Sequence, residues 1–235
     1  MSNNNRVCPA WFFKGLFIFA LLAIFPRYAH AVEQNMSTVS LAPPHASGEV
    51  QQIFQDILSS GDNKNMPFII LDKKQAKIYS FQKDGQLLGE APALLGIAIG
   101  DYYYPGTGQK LMSDIKVEER TTPAGRFHGL LGYNSHGEEV LWVDFDMAIA
   151  IHIVVKGTVR DRRLERLQSP NPKDHRISFG CVNVPAPFYT NTISPYFVGK
   201  GGMVYVLPDT KKLSEVFGDA LCKSTKNTLE TSSSR

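Results

Sequence analysis

Apolar positions change their spacing along the chain, and each spacing predicts a different kind of element. In residues 47–63, SGEVQQIFQDILSSGDN, apolar residues recur every three or four positions, as they do on one face of an α-helix. Ser47 is a typical residue for the start of a helix and Gly61 for its end. We therefore predict one short amphipathic helix here, within a segment, 32–66, that otherwise resembles a linker.

From residue 67 onward the spacing favours β-strands. Residues 68–100 contain short β-type runs separated by polar turns, which predicts consecutive hairpins. Residues 139–155 are apolar and partly alternating, which predicts a central strand pair or one long bent strand. A last apolar run, 201–208, predicts a strand that closes the sheet. We therefore expect a mostly β fold, a mixed β-sandwich or barrel with one or two short helices, and no second domain.

A basic segment interrupts this pattern between residues 155 and 177. It reads KGTVRDRRLERLQSPNPKDHR and is rich in arginine and lysine, with two prolines. A run of charge usually forms a solvated loop or a short helix. Long loops also frequently cover a binding site, and the two interpretations are compatible.

The first 31 residues have the organisation of a secretory signal peptide. Arg6 and Lys14 precede an apolar run at 15–25, and a pattern of small residues ends at Ala31. The run is short for a membrane span, although aromatic residues extend it upstream, so an uncleaved anchor is the alternative. In both cases we expect the main domain in the periplasm, with an inner-membrane tether if the leader is not cleaved.

Composition excludes some classes of function. Hydrophobic residues make up 43% of the chain, which is enough to build a core. The leader contains three basic residues and no acidic residue, so its removal changes the formal net charge from +3 to 0. A strongly basic nucleic-acid-binding domain is thereby excluded. No pair of histidines or cysteines has the spacing of metal ligands on one element, and we predict neither a metal nor a cofactor.

Cys181 lies in an unusual turn, RISFGCVNVPAPFY, between a polar loop and a run of prolines and aromatic residues. It is a small buried hydrophobe, half of a disulfide or a nucleophile. Once Cys8 has left with the leader, Cys222 is the one other cysteine, and an oxidising compartment favours pairing of the two. Cys222 lies in a polar segment, 209–235, for which we predict a mobile tail.

A cysteine nucleophile needs a base and donors for the oxyanion that forms on attack. His152 interrupts an apolar strand and is either a core histidine bonded to a carbonyl or that base. His175, in the basic segment, is the competing base, whereas His128 and His136 are expected at the surface. Gly180 permits backbone angles that could direct amides toward one point.

These segments resemble the catalytic domain of the L,D-transpeptidases, bacterial cell-wall enzymes of the YkuD type. The family signature is a strand ending in histidine, a loop, and then Ser-His-Gly-Cys-(Ile/Val)-(Arg/Asn), which stand here as AIAIHI and SFGCVNV. FIILDKKQAKIYSFQ is similar to the family's opening strand pair, TTPAGRF to its Thr-Pro-x-Gly-x-Phe segment and GGMVYVLP to its closing strand. The resemblance covers about residues 67–208, which we interpret as the catalytic domain.

The resemblance implies cysteine-dependent acyl transfer on peptidoglycan stem peptides through a thioester. Cys181 would be the nucleophile and His152 its base, Gly180 and the Cys181 amide would contribute to the oxyanion site, and Ser178 and Asn183 would shape the turn. An amine of a second stem resolves the thioester in the crosslinking enzymes, and water does so in the carboxypeptidase variants. An amidase-like hydrolase of the same fold and an inert cell-wall-binding domain are further alternatives.

Two departures from the family pattern affect the site. Phe179 replaces the usual histidine, and its ring cannot donate a hydrogen bond to an oxyanion. The loop between His152 and Ser178, which are 26 positions apart, is longer than usual and rich in arginine. We hypothesise that one or more of these arginines, with Arg176 and Arg160 as first candidates, binds a stem carboxylate in bidentate fashion. The other candidates are Arg162, Arg163 and Arg166.

Overall fold

The computed structural model describes residues 42–155 and 157–221. The predicted signal peptide, the start of the predicted linker and Cys222 lie outside these residues. Within them, no helix is both long enough and apolar enough to cross a membrane.

The first element is helix α1, Gly48–Ser60, which confirms the helix predicted from the apolar spacing. The Ser47 hydroxyl accepts a hydrogen bond from the Val50 amide, and Gly61, with φ of 67°, ends the helix in the left-handed conformation that glycine adopts without strain. The buried face packs its Phe54 ring between aromatic rings of the sheet. The apolar face of α1 therefore covers one side of the strands.

Eight strands form one sheet in the order β3-β2-β1-β10-β5-β6-β7-β9, and β4 pairs with β8 in a second, two-stranded sheet. The pairs β1–β10, β7–β9 and β4–β8 are parallel, and the others are antiparallel. The strands are β1 (Phe68–Asp72), β2 (Lys77–Phe81), β3 (Leu87–Pro92), β4 (Leu95–Gly96), β5 (Gly125–Tyr133), β6 (Glu139–Asp144), β7 (Ile149–Ile153), β8 (Arg176–Ser178), β9 (Val182–Val184) and β10 (Gly202–Val206).

The sheet is nearly closed. Leu94, just after edge strand β3, and Asn183, on the opposite edge strand β9, exchange backbone hydrogen bonds of 2.8 and 2.9 Å. One apolar core lies inside this barrel-like sheet, and a second lies between the outer face of β1, β2 and β10 and the helices. The prediction of a mostly β, barrel-like fold with few short helices is confirmed.

The hairpins expected in residues 68–100 and the strand pair expected in residues 139–155 are present as β1–β2–β3 and β6–β7. The strand expected at 201–208 is also present as β10, which lies between β1 and β5 and joins the first hairpins to the rest of the sheet. All five of its residues are buried, as expected for a strand that is covered on both faces.

The remaining helices are α2 (Arg163–Gln168), α3 (Ala186–Phe188), which continues into a π-helix at Tyr189–Ile193, and α4 (Leu213–Leu221). The basic segment thus contains a short helix, α2. The prediction of a polar tail from residue 209 is wrong for α4, because Leu213, Phe217 and Leu221 are buried in the outer core. Gly218, with φ of 72°, kinks this helix before its last residues.

Candidate functional site

Cys181 lies in a tight turn between β8 and β9. The Gly180 amide donates a hydrogen bond of 3.1 Å to the Ser178 hydroxyl, and this hydroxyl donates one of 2.6 Å to the Cys181 carbonyl. Gly180 has φ of 134°, and a Cβ there would lie 2.7 Å from Cδ1 of Ile149 and 2.8 Å from the Thr121 carbonyl oxygen. The turn therefore requires glycine at this position, and Ser178 closes it.

The hydrogen bonds within the turn determine whether the Gly180 amide can contribute to the predicted oxyanion site. Because the Gly180 amide donates to Ser178, it is not directed at a carbonyl beside the thiol. The Gly180 carbonyl is also held, since it accepts a hydrogen bond of 2.8 Å from the Thr122 hydroxyl. In this state of the turn, the contribution expected from the Gly180 amide is absent.

The Cys181 side chain lines a pocket of about 260 Å³. The rest of the wall comes from the long loop between β4 and β5, from the β6–β7 turn and from Phe179. Cys181 is a free cysteine, and its thiol donates a weak hydrogen bond of 3.5 Å to the Ala148 carbonyl. The sulfur therefore faces a cavity that could hold a small acyl group.

Burial raises the pKa of the Cys181 thiol above its ordinary value. A hydrogen bond from the Ala150 backbone lowers the pKa by a smaller amount. The residue keeps part of its surface exposed, but the desolvation of a thiolate is still the largest influence on this pKa. At neutral pH the thiol of the free protein is therefore protonated.

His152 lies on the strand next to this turn, and its ring is hydrogen-bonded to groups other than the thiol. Strands β7 and β9 are parallel, and His152 is opposite Asn183, two residues beyond Cys181. The Nδ1 atom of His152 lies 2.9 Å from the Ile153 carbonyl oxygen, and its Nε2 atom lies 3.1 Å from Nδ2 of Asn183. Both ring nitrogens therefore have partners other than Cys181.

Arg163 determines the direction of these bonds. Its Nη1 donates a hydrogen bond of 2.8 Å to Oδ1 of Asn183, so the Asn183 amide nitrogen must face His152. The amide donates to Nε2 of His152, which leaves the ring proton on Nδ1, where it is donated to the Ile153 carbonyl. The network thus assigns a neutral His152 whose Nε2 lone pair faces Asn183.

The pKa of His152 is lowered, first by burial and also by the positive charge of Arg163. The Ile153 carbonyl and the Glu138 carboxylate act in the opposite direction and are outweighed. A neutral imidazole is the form that a general base needs. His152 consequently has the protonation state expected of a general base, but its Nε2 is hydrogen-bonded to Asn183 and not to Cys181.

His175, the competing base candidate, is buried between two backbone carbonyls. Its Nδ1 lies 3.2 Å from the Ala93 oxygen, and its Nε2 lies 3.0 Å from the Ser169 oxygen. It therefore ties the basic segment to the sheet and does not line the Cys181 pocket. His128 and His136 are exposed, as predicted.

The two arginine candidates for substrate binding do not line the Cys181 pocket. Arg176 already holds a carboxylate of this chain, because it donates hydrogen bonds of 2.6 and 3.2 Å to the two oxygens of Asp209. Arg160 is exposed on a 3₁₀ turn, Val159–Asp161. The bidentate carboxylate contact that the sequence suggested for Arg176 is thus internal to the fold.

Phe179 has a cationic neighbour that sequence reasoning missed. The guanidinium carbon of Arg120 lies 4.0 Å from the centre of the Phe179 ring. The same guanidinium donates hydrogen bonds of 3.0 and 2.8 Å to the Ile115 carbonyl, so it is held in place. A fixed positive charge therefore lies next to the Phe179 ring, two positions before Cys181 in the sequence.

A second missed residue, Lys73, fixes the loop that forms much of the pocket wall. Its buried ammonium donates hydrogen bonds to the carbonyls of Gly100 (2.6 Å) and Thr122 (2.8 Å), near the two ends of this loop, and to Asp101 (2.9 Å). Burial lowers the pKa of Lys73, while Asp209 and Asp101 favour the charged form. A lysine in a polar turn carries no sequence signal of such burial.

No family model matches the chain, and no curated protein matches it. Solved structures with partial likeness include an L,D-transpeptidase from Xylanimonas cellulosilytica DSM 15894 (16% identity, 61% of each chain covered, TM-score 0.37). A second is the L,D-transpeptidase (Yku) from Stackebrandtia nassauensis (14% identity, 70% of this chain and 68% of that chain, TM-score 0.36).

A third is the LD transpeptidase LdtMt1 in complex with imipenem, which is 16% identical over 60% of this chain and 58% of that chain, with a TM-score of 0.34. The chain thus spans less than two thirds of the first and third of these structures.

Within residues 42–155 and 157–221, no group of three or more His, Cys, Asp and Glu side chains is arranged to hold a metal ion.

Proposed function

We propose that this protein transfers acyl groups on peptidoglycan stem peptides through a thioester at Cys181. The observation that carries the proposal is a free cysteine on a glycine-dependent turn, facing a pocket of about 260 Å³. The order of His152 and the Ser-Phe-Gly-Cys-Val-Asn segment, which resembles the L,D-transpeptidase signature, supports the same chemistry.

For this reaction, Nε2 of His152 must give up its hydrogen bond with the Asn183 amide and form one with the Cys181 thiol. In the first step the Cys181 proton passes to Nε2 of His152, the sulfur bonds to the substrate carbonyl carbon, and the bond from that carbon to the terminal residue's nitrogen breaks. The departing nitrogen takes the proton from the imidazolium, and a thioester remains. Nε2 can accept the thiol proton only after it has released the Asn183 amide.

In the second step an amine of another stem attacks the thioester carbon, the carbon–sulfur bond breaks, and the amine proton returns to the sulfur. Water in place of the amine gives hydrolysis. The acceptor is selected by the shape of the pocket and by how well it excludes water. Crosslinking is our first proposal and hydrolysis the alternative within the same mechanism.

An inert wall-binding domain is the second candidate function. Two observations favour it: the pKa of the Cys181 thiol is raised by burial, and both nitrogens of His152 face other partners. A domain of this kind would bind peptidoglycan without forming a thioester.

Incubation with a tetrapeptide stem ending in D-alanine distinguishes the two candidates. The acyl-transfer proposal predicts release of D-alanine and a mass increase on Cys181, both abolished in Cys181→Ala and reduced at least about 100-fold in His152→Ala. Co-sedimentation with peptidoglycan without D-alanine release would contradict acyl transfer and support the binding domain. Circular dichroism of each variant serves as the control for folding.

A further inference from the structure

Arg163 connects the basic segment to strand β9. Its side chain is 14% exposed, whereas that of its neighbour Arg162 is 69% exposed. The Arg163 guanidinium has two partners: Nη1 donates the hydrogen bond of 2.8 Å to Oδ1 of Asn183, and Nε lies 3.6 Å from Oδ2 of Asp161. A guanidinium is planar and presents its donors in a rigid fork, so the two contacts fix its orientation.

The turn before α2 holds Asp161 in place beside Arg163. The Thr158 amide donates a hydrogen bond of 3.1 Å to Oδ2 of Asp161, and the Asp161 amide donates one of 3.0 Å to the Thr158 carbonyl. The chain also passes very close to the ion pair at Gly157, where a Cβ would lie 2.5 Å from Oδ2 of Asp161 and 2.9 Å from Nε of Arg163. The backbone of the basic segment therefore encloses the guanidinium on the side opposite Asn183.

The Asn183 side-chain amide has two possible orientations, related by a half-turn about its last bond. The residue is 1% exposed, and its backbone is held by the hydrogen bonds with Leu94 that close the sheet. In one orientation the oxygen faces Arg163 and the nitrogen faces His152. In the other, the amide hydrogens would face those of the guanidinium, and neither group would have an acceptor. Arg163 therefore selects the orientation in which Asn183 donates to Nε2 of His152.

This selection extends to the imidazole. With a donor at Nε2 and the Ile153 carbonyl at Nδ1, the ring proton lies on Nδ1 and the lone pair on Nε2. We propose that Arg163 is a positioning residue, which acts through Asn183 to hold His152 as a neutral base with its lone pair on Nε2. The part of Arg163 in catalysis rests on the acyl transfer proposed for Cys181, whereas its effect on His152 does not.

The charged and titratable groups around His152 determine what the loss of Arg163 would do. Arg163, at the start of α2, lowers the pKa of His152, and Glu138, just before β6, raises it. Glu139 on β6 and Tyr189 on the π-helix line the same pocket as His152. Without the guanidinium, the Glu138 carboxylate is no longer opposed by a positive charge and the Asn183 amide is free to turn, so the pKa of His152 should rise.

The first test measures His152 by NMR in the Cys181→Ala chain, where no catalysis is needed. Arg163→Met, which removes the charge and the donors, should move the midpoint of the His152 titration up by at least about 0.5 pH unit. The ring nitrogen shifts should also report a mixture of tautomers. Arg163→Lys keeps the charge and should recover at least about half of the change in midpoint. Lys173→Met removes an exposed cation of the same segment and is the control, with no change expected.

The second test measures the rate of acylation by imipenem against pH in chains that keep Cys181. The acid limb of the profile should move up with the His152 midpoint in Arg163→Met and stay in place in Lys173→Met. An unchanged titration and tautomer of His152 in folded Arg163→Met would overturn the inference, and so would an unmoved acid limb in a chain that forms the thioester. A changed titration together with a native chain that forms no thioester would instead overturn acyl transfer at Cys181 and support the effect of Arg163 on His152.

Discussion

The Asn183 amide lies 3.1 Å from Nε2 of His152, and Arg163 holds this amide from its other side at 2.8 Å. The imidazole is thereby kept neutral, and its Nε2 is engaged by Asn183 on the neighbouring strand, two residues beyond Cys181. Activation of Cys181 by His152 consequently requires the hydrogen bond between His152 and Asn183 to break.

Replacement of Asn183 by aspartate should raise the pKa of His152, which is lowered in the native chain. A carboxylate next to Nε2 stabilises the imidazolium, so the pKa of His152, now lowered by burial and by Arg163, should rise by about one unit or more. An NMR titration of the His152 ring signal measures the change. Asn171→Asp, at the exposed start of the 3₁₀ turn Pro172–His175, is the control and should leave the titration of His152 unchanged. An unaltered titration in Asn183→Asp would contradict the assigned network.

The thiol of Cys181 should react slowly at neutral pH. Because burial raises its pKa, alkylation by iodoacetamide at pH 7 should be at least about tenfold slower than in the urea-unfolded chain, and should accelerate above about pH 9. The rate is followed on the peptide that contains Cys181. Equal rates in the folded and unfolded chains at pH 7 would show that the thiol is not desolvated.

The same shift links stability to pH. The folded state favours the protonated thiol, so its stability relative to the unfolded chain is retained below the unfolded pKa of about 8.5 and decreases as pH rises above it. The melting temperature should therefore fall less between pH 8 and 10 in Cys181→Ala than in the native chain. A parallel decline in the two proteins would contradict the raised pKa.

The contact between Arg120 and Phe179 should have a measurable coupling energy. Phe179→Leu keeps an apolar side chain but removes the aromatic face, and Arg120→Gln removes the charge. A double-mutant cycle by urea unfolding should give a coupling of about 0.5–1 kcal/mol. The control cycle uses Phe145→Leu, whose ring packs on Trp142 at the surface, and should be additive with Arg120→Gln. Additivity in both cycles would remove the cation–π contact from the account.

Lys73 and Lys74 provide a matched test of the role of Lys73 in fixing the loop between β4 and β5. Lys73→Met removes a buried ammonium and leaves the buried Asp101 carboxylate without its cation, while Asp209 keeps Arg176, and it should lower the free energy of unfolding by about 3–5 kcal/mol. Lys74 pairs with Glu49 at the surface, so Lys74→Met should change it by less than about 1 kcal/mol. Similar effects of the two substitutions in urea unfolding would contradict the burial of Lys73.

Local sequence patterns predicted the elements better than their arrangement. The capping residues Ser47 and Gly61 and the apolar spacing between them specify α1, because these signals act over one helical turn. The central place of β10 depends on parallel pairing with β1, which is distant in sequence, and no local pattern encodes that pairing. The apolar period of α4 was present in the sequence and was outweighed by its polar surroundings.

In the site, too, the sequence predicted contacts between neighbouring residues but not contacts between distant ones. Ser178, Gly180 and Cys181 form one turn because they are neighbours in sequence, and their contacts follow from the motif. The engagement of His152 with Asn183 depends on Arg163, a residue of the basic segment whose contact requires the folded chain. The Arg176 contact with Asp209 likewise joins residues that no sequence pattern connects.

Intact-mass analysis after incubation with imipenem tests the central claim, that Cys181 is an acyl-accepting nucleophile, most directly. Imipenem offers a strained carbonyl, which an activated cysteine opens to form a thioester. Our account predicts one adduct on the native chain, located at Cys181 by peptide mapping and absent from Cys181→Ala. A folded native chain without an adduct, or an adduct that persists in Cys181→Ala, would contradict it.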